Sequence, residues 1–194
     1  AHLKGSGGGK SLMLSSHIDT VTRMPLPWAI SSPFSGEVKG DRLYGRGSYD
    51  MKGSLAASAI LLKIIHENSI HLAGDVYVES VVDEENAGAN GTLASRLRGY
   101  IPDLAIVPEP TNLDICPHSK GGQVFEIDFQ GRSGVRYSGE DILNPIYALA
   151  KIVTQIEKYE AWINTDVSLP PLFSQTDKPR SVVLSKVKAG DLTP

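Results

Sequence analysis

The stretch GDVYVESVVDEENAGANG, residues 74–91, decides the fold. Its largely apolar run, Val76–Val82, predicts a strand, and the strand ends in three consecutive acids, Asp83, Glu84 and Glu85. Adjacent like charges repel, and the packing of a strand end does not require them. Because ligand sites in α/β sheets lie beyond the carboxyl ends of strands, we expect a functional site at this point.

The segments around this stretch alternate between strand and helix patterns. LMLS (residues 12–15) and DLAIVPEPT (103–111) are predicted strands. Residues 54–67 have apolar positions at helical spacing, and residues 90–100 predict a short helix that Asn90 would cap. The β-α-β-α-β order predicts an α/β fold with a mostly parallel sheet flanked by helices.

The pattern changes after residue 118, which predicts two domains, 1–118 and 119–194. Alternating apolar and polar residues predict a half-solvated strand over Val124–Phe129. A long helix is predicted over residues 143–162, and SVVLSKVKAG, residues 181–190, predicts a second alternating strand after a proline-rich loop. The second domain is therefore expected to be a smaller α+β unit.

Composition excludes several classes of protein. The 194 residues are 41% hydrophobic and 21% charged, which is typical of a globular protein. The net charge of −3, without a basic stripe, argues against a nucleic-acid partner. No apolar run approaches the roughly 20 residues of a membrane span, and AHLKGSGGGKS at the start has no apolar centre typical of a secretory signal.

Cysteine content and the two ends of the sequence add further expectations. Cys116 is the one cysteine, so no internal disulfide is possible, and a cytoplasmic location is predicted. Both ends read as if cut inside an element, so we expect a truncated chain. GSGGGKS (residues 5–11) is not a phosphate loop, because the following LMLSS reads as a strand rather than a helix. We expect a glycine-rich hairpin turn there.

Two further segments place metal-type side chains near strand or helix ends. In SSHIDTV, His17 and Asp19 lie two apart at a strand end, so period two places both on one face. A ligating His usually donates its other ring nitrogen to a carboxylate or carbonyl. In YGRGSYDMKGS, Asp50 precedes a helix among glycines that permit close backbone approach. A surface His and a helix cap are the respective alternatives.

The segments together deliver the side chains that divalent metals prefer: His17, Asp19, Asp50, Glu84, Glu85 and, between two prolines, Glu109. Such clustering is costly unless a cation neutralises it, whereas separate acidic turns in solvent are the alternative. Imidazole with carboxylate suits zinc, or a related divalent ion, better than calcium. Two neighbouring glutamates permit one to ligate and the other to take a proton from water.

The chain resembles the family of acetylornithine deacetylase, succinyl-diaminopimelate desuccinylase, aminoacylase and carboxypeptidase G. Four segments in this order carry the resemblance: SSHIDTV, YGRGSYDMKGS, VVDEENAGANGT and VPEPT. The resemblance covers roughly residues 1–190. It implies a co-catalytic zinc hydrolase with two metal sites, which can also bind other divalent ions such as cobalt or manganese. It also implies a smaller lid domain through which the chains form homodimers. The implied substrate is a small N-acyl amino acid or short peptide.

The resemblance implies a role for each motif residue. Asp50 looks like the carboxylate that bridges both metals, with His17 and Glu109 on one metal and Glu85 on the other. Asp19 would orient His17, and Glu84 would be the general base. Asp83 would be structural. The remaining histidines match no family position and are expected to be structural or surface groups: His2, His66, His71 and His118.

Two departures from the family leave an alternative open. The family has a lid His shortly after the strand that FEIDFQG resembles, and no His lies between Gly131 and Glu140. The later family segment that returns to the catalytic domain with the last His ligand has no match either. We therefore expect a metal-dependent hydrolase that cleaves an N-acyl amide or peptide bond next to a free carboxylate. The alternative is a non-catalytic or truncated relative that partly binds metal without turnover.

Overall fold

The computed structural model describes residues 1–21, 27–132, 137, 139, 142–165, 171 and 180–188. The chain divides into two compact units, Ala1–Cys116 and Pro117–Pro194. The strands in the described ranges are β1 (His2–Leu3), β2 (Leu12–His17), β3 (Glu37–Lys39), β4 (Arg42–Tyr44), β5 (Val76–Val81) and β6 (Leu104–Ile106). The α-helices are α1 (Gly53–Glu67), α2 (Ala94–Leu97) and α3 (Pro145–Ile163).

Four strands of the first unit form one sheet in the order β1-β5-β2-β6. β2 is parallel to both β5 and β6, whereas β1 is antiparallel to β5 at the edge. Along β2, Leu12 pairs with Val76 and His17 pairs with Val81. The predicted α/β fold with a mostly parallel sheet flanked by helices is therefore confirmed.

The core of the first unit lies on the two central strands. Met13 and Leu14 of β2 and Val76, Val78 and Val81 of β5 are buried. Helix α1 packs against both strands. Burial of each such side chain contributes about 1.5–3 kcal/mol, which helps to hold β2 beside β5 and thereby to position the strand ends.

The glycine-rich segment after β1 is not the predicted hairpin, because β5 lies between β1 and β2. The segment crosses the end of β5, and the Gly7 N–H donates to the Ala73 carbonyl at 2.9 Å. A Cβ on Gly9 would meet the backbone nitrogen of Gly74 at 2.4 Å. Glycine is needed here for close approach of two backbones rather than for a tight reversal.

A hairpin that the sequence analysis did not predict precedes the turn that leads to Asp50. β3 and β4 pair antiparallel in a separate two-stranded sheet. Gly40 and Asp41 connect them, and Gly40 has a φ of 62°. Gly-Asp between two short runs is a known hairpin signal, and the prolines nearby hid it.

The second unit contains α3, which agrees with the predicted helix over residues 143–162. Asn144 caps it, because the Asn144 Oδ1 accepts from the Ile146 N–H at 2.9 Å, and Pro145 occupies the first turn. No helix in the described ranges is long and apolar enough to cross a membrane.

The two strands predicted in this unit are wrong where the structure describes them. Residues 124–129 and 181–188 contain no strand, and residues 189–190 lie outside the described ranges, as does the proline-rich loop apart from Pro171. Alternation stabilises a strand only when a neighbour pairs with it. The described part of this unit has a single isolated bridge, between Arg132 and Leu143.

Asp75, at the start of β5, predicts a pH-dependent stability. The Gly5 N–H and the hydrogen bonds from His2 and Tyr77 hold the pKa of Asp75 below its usual 3.8. The ionised carboxylate therefore favours the folded state; its contribution is complete above about pH 4 and disappears as the pH falls through the folded-state pKa. We expect Asp75→Asn to lower the melting temperature at pH 7 and to match the unsubstituted protein in acid.

Thermal unfolding followed from pH 7 to pH 2 measures this difference. Asp41→Asn is the matched control, since Asp41 lies exposed in the hairpin turn and makes no hydrogen bond to the described residues. A constant difference across the pH range would contradict the assignment.

Candidate metal centre

The sequence-predicted site residues meet at one edge of the main sheet. His17 is the last residue of β2, Glu84 lies three residues past β5, and Glu109 lies three residues past β6. Because these strands are parallel, their carboxyl ends share an edge. Asp50 arrives from the turn Ser48–Lys52 before α1, and its peptide bond to Met51 is cis.

The imidazole of His17 is buried, with 1% of its surface exposed. Its Nδ1 lies 3.0 Å from the backbone oxygen of Asp19 and 3.4 Å from the Asp19 Oδ1. A carbonyl oxygen only accepts, so Nδ1 bears a proton, and Nε2 is the nitrogen that faces the site. Asp19 thus orients His17 mainly through its carbonyl, while its Oδ2 accepts from the Glu85 N–H at 3.1 Å.

Carboxylates surround the other ring nitrogen. The Nε2 of His17 lies 3.1 Å from the Asp50 Oδ1, 3.7 Å from the Glu84 Oε2 and 3.7 Å from the Glu109 Oε1. Two groups of three residues have ligand atoms within 4.8 Å of one another: His17, Asp50 and Glu85, and His17, Glu84 and Glu109. Both groups differ from the pairing that the family resemblance implied. Glu85 joins His17 and Asp50 in the first group, and Glu84, expected to be the general base, joins His17 and Glu109 in the second.

Asp83 closes the loop that presents both glutamates. Its φ of 65° is left-handed, which Asp tolerates better than most residues. The Asp83 Oδ2 accepts from the Asn90 backbone N–H at 3.2 Å and side-chain Nδ2 at 2.9 Å. Asn90 does not cap α2 as predicted, because it lies inside the turn Ala89–Leu93 and α2 begins only at Ala94 with no side-chain cap. A Cβ on Gly91 would meet the Val82 carbonyl at 2.0 Å, so the loop end also requires glycine.

The electrostatics of the cluster are those of a site with excess negative charge. Burial disfavours the charged imidazole, yet the Asp19 carbonyl, the Asp50 carboxylate and the charges of Glu109 and Glu84 together raise the pKa of His17. Burial is the largest cause that raises the pKa of Glu109; the charge of His17 opposes this rise, and the charges of Asp50, Glu84 and Glu85 add to it. The pKa values of His17 and Glu109 both shift toward the protonated form, which closely spaced carboxylates favour.

The residues present fit a divalent metal ion. One imidazole nitrogen and several carboxylate oxygens form the donor set that zinc, cobalt and manganese accept. The Asp19 Oδ1 is buried and accepts no hydrogen bond from the described residues, so it stands beside Nδ1 as a charge that strengthens His17 as a ligand. A cation at Nε2 would replace the proton that the surrounding acids favour there.

His2 and His66 lie outside this cluster. His2 lies at the far end of β5, where its Nε2 is 2.8 Å from the Asp75 Oδ2 and its ring stacks on Tyr77 at 4.4 Å. His66 lies exposed in the last turn of α1. The role of Asn90 in closing the loop at Asp83 could not be predicted from the sequence, because a hydrogen bond across a loop leaves no periodic signal.

A model of peptidase family M20/M25/M40 matches residues 13–177 of the sequence. The chain belongs to this family. The M20/M25/M40 match spans every residue of the cluster, and it confirms the family resemblance drawn from the four motifs.

The chain is also similar to a deformylase, a desuccinylase and a deacetylase. The chain is 39% identical over 126 residues to an N-formyl-4-amino-5-aminomethyl-2-methylpyrimidine deformylase of Halalkalibacterium halodurans, which covers 64% of the chain and 29% of the relative. It is 32% identical over 175 residues to a succinyl-diaminopimelate desuccinylase of Wigglesworthia glossinidia brevipalpis; this match covers 84% of the chain and 46% of the relative. It is 31% identical over 166 residues to an acetylornithine deacetylase of Proteus mirabilis; this match covers 86% of the chain and 42% of the relative. The chain thus spans less than half the length of each of these relatives.

Proposed function

We propose that the chain forms the metal-binding part of a zinc-dependent hydrolase that cleaves an N-acyl amide or peptide bond next to a free carboxylate. The observation that supports this most is the arrangement of Asp50, Glu84 and Glu109 around the Nε2 of a buried His17. A purely structural cluster would gain little from acids this close together, because their mutual repulsion lowers stability.

In this proposal, His17, Asp50, Glu85 and Glu109 hold the ion or ions, and Asp19 fixes the orientation of His17. A divalent ion held by these residues would supply Lewis-acid activation to the reaction. Glu84 would accept a proton from the water that attacks the amide carbonyl and give it to the nitrogen that leaves when the C–N bond breaks. With 47% of its side chain exposed, Glu84 is accessible to substrate as this role requires.

The names of the relatives support the substrate class. They describe removal of a formyl, a succinyl and an acetyl group. We therefore propose a small N-acyl amino acid, or a short peptide, as the substrate. The domain division at residue 118, a homodimer formed through the second domain as a lid, and a cytoplasmic location are proposals of the same kind.

A second candidate function is metal binding without turnover. The observation that favours it is the absence of a histidine between Gly131 and Glu140, where the resembled family has its lid His. The two candidates agree on the ion and differ on hydrolysis alone.

The test uses purified protein that is stripped with a chelator and reloaded with zinc, cobalt or manganese. N-formyl, N-acetyl and N-succinyl amino acids are supplied, each beside its carboxylate methyl ester. We expect hydrolysis to return only with metal and to be about tenfold slower for the esters, which lack one charge-assisted hydrogen bond. Retained metal without hydrolysis would favour the second candidate, and failure to retain metal would overturn both.

A further inference from the structure

The side chain of Tyr49 joins the two loops that present Asp50 and Glu109. Its hydroxyl donates to the Oδ1 of Asn112 at 2.9 Å and lies 3.4 Å from the carbonyl oxygen of Pro110. Tyr49 immediately precedes Asp50, and Pro110 immediately follows Glu109. The contact therefore connects the backbones of two candidate ligands that are about sixty positions apart in the chain.

Each end of this contact belongs to a locally closed turn. On the Tyr49 side, the Lys52 N–H donates to the Gly47 carbonyl at 2.9 Å. On the other side, the Thr111 N–H donates to the Glu109 carbonyl at 2.8 Å, and Asn112 has a left-handed φ of 56°. Because both turns are closed by hydrogen bonds, a contact that fixes Tyr49 or Asn112 also restricts the position of Asp50 or Glu109 beside it.

Burial does not explain Tyr49. The side chain is 61% exposed, so its ring contributes little apolar burial, and its hydroxyl is the part with a defined partner. Asp50 and Glu109 repel each other across His17, and both are partly exposed, at 49% and 33%. A neutral hydrogen bond holds such loops together without adding charge to the site.

We infer that Tyr49 and Asn112 are positioning residues that fix the spacing of Asp50 and Glu109 for a divalent ion. The inference rests on the proposed function, because it requires these two carboxylates to hold the ion. Neither Tyr49 nor Asn112 touches the ion; both act through the carboxylate next to them in the chain.

The test compares zinc affinity in Tyr49→Phe, Asn112→Gly and the double variant, by competition with a chromophoric chelator. Phenylalanine removes the hydroxyl alone, and glycine removes the acceptor while it accommodates the positive φ. We expect each single substitution to weaken zinc binding about three- to tenfold, which corresponds to the loss of one neutral hydrogen bond. The double variant should be no weaker than either single one.

Tyr44→Phe is the matched control, since it removes a hydroxyl from the same segment where the described residues offer it no hydrogen bond. The melting temperature of the metal-free protein should stay constant in all variants, whereas the visible spectrum of the cobalt-loaded protein should change in Tyr49→Phe and Asn112→Gly. Wild-type affinity in Tyr49→Phe, or losses that multiply in the double variant, would overturn the positioning role and leave the metal site intact. Failure of the unsubstituted protein to bind zinc would overturn the proposed function and this inference with it.

Discussion

Glu84→Gln keeps its metal and loses about a thousandfold in turnover, if Glu84 is the proton carrier of the proposed reaction. Glutamine preserves the shape of the side chain and one oxygen, so the cluster around His17 stays in place. The amide cannot accept a proton. Of the other carboxylates beside the Nε2 of His17, only Asp50 is as exposed as Glu84, and Asp50 is proposed to hold the ion. Metal content by elemental analysis and turnover of an N-acyl amino acid measure the two effects separately.

Glu85→Gln is the matched comparison. The Glu85 Oε1 accepts from the Val21 N–H at 3.0 Å, and Glu85 belongs to the ligand group with His17 and Asp50. We expect this variant to lose metal first, because an amide is a weaker ligand than a carboxylate. The reverse result, in which Glu84→Gln loses metal and Glu85→Gln retains it, would exchange the two roles.

His17→Ala should weaken zinc binding by at least about a hundredfold, since His17 belongs to both candidate ligand groups. The substitution also leaves a cavity at a residue with 1% exposure and removes the group that separates Asp50 from Glu109. We expect the free energy of unfolding of the metal-free protein to fall by about 2 kcal/mol. Isothermal titration with zinc and denaturant unfolding measure the two losses.

His66→Ala provides the control, because His66 is exposed at the end of α1 and takes no part in the cluster. It should leave both quantities unchanged. Retention of zinc by His17→Ala at the affinity of the unsubstituted protein would refute the candidate metal centre.

Local patterns predicted the central strands and the main helix of the first unit, but not the hairpin of β3 and β4. The apolar run Val76–Val82 and the helical spacing over residues 54–67 correspond to β5 and α1. The order of the strands did not follow from these patterns, because periodicity reports which face of a segment is buried and not which strand lies beside it. The place of β5 between β1 and β2 depends on the glycine-rich crossing near Gly9, which a sequence pattern cannot distinguish from a hairpin.

The convergence of the site was predictable for a physical reason. Parallel strands bring their carboxyl ends to one edge, so acids after β5 and β6 had to approach His17. Which acid lies nearest which neighbour was not predictable, because it depends on loops such as the one that Asp83 closes. The predicted strand over Val124–Phe129 failed for the converse reason, since alternation describes a surface and does not supply a partner strand.

The hydrogen bond from the Nδ1 of His17 to the Asp19 carbonyl has a consequence for stoichiometry. With that nitrogen occupied, the imidazole has one lone pair to give, and the two ligand groups that include His17 must compete for it. If His17 binds one ion, the carboxylates of the cluster offer any second ion oxygen atoms alone. Oxygen donors suit manganese or magnesium better than zinc, so we expect the ion bound to His17 to be the more zinc-selective of the two.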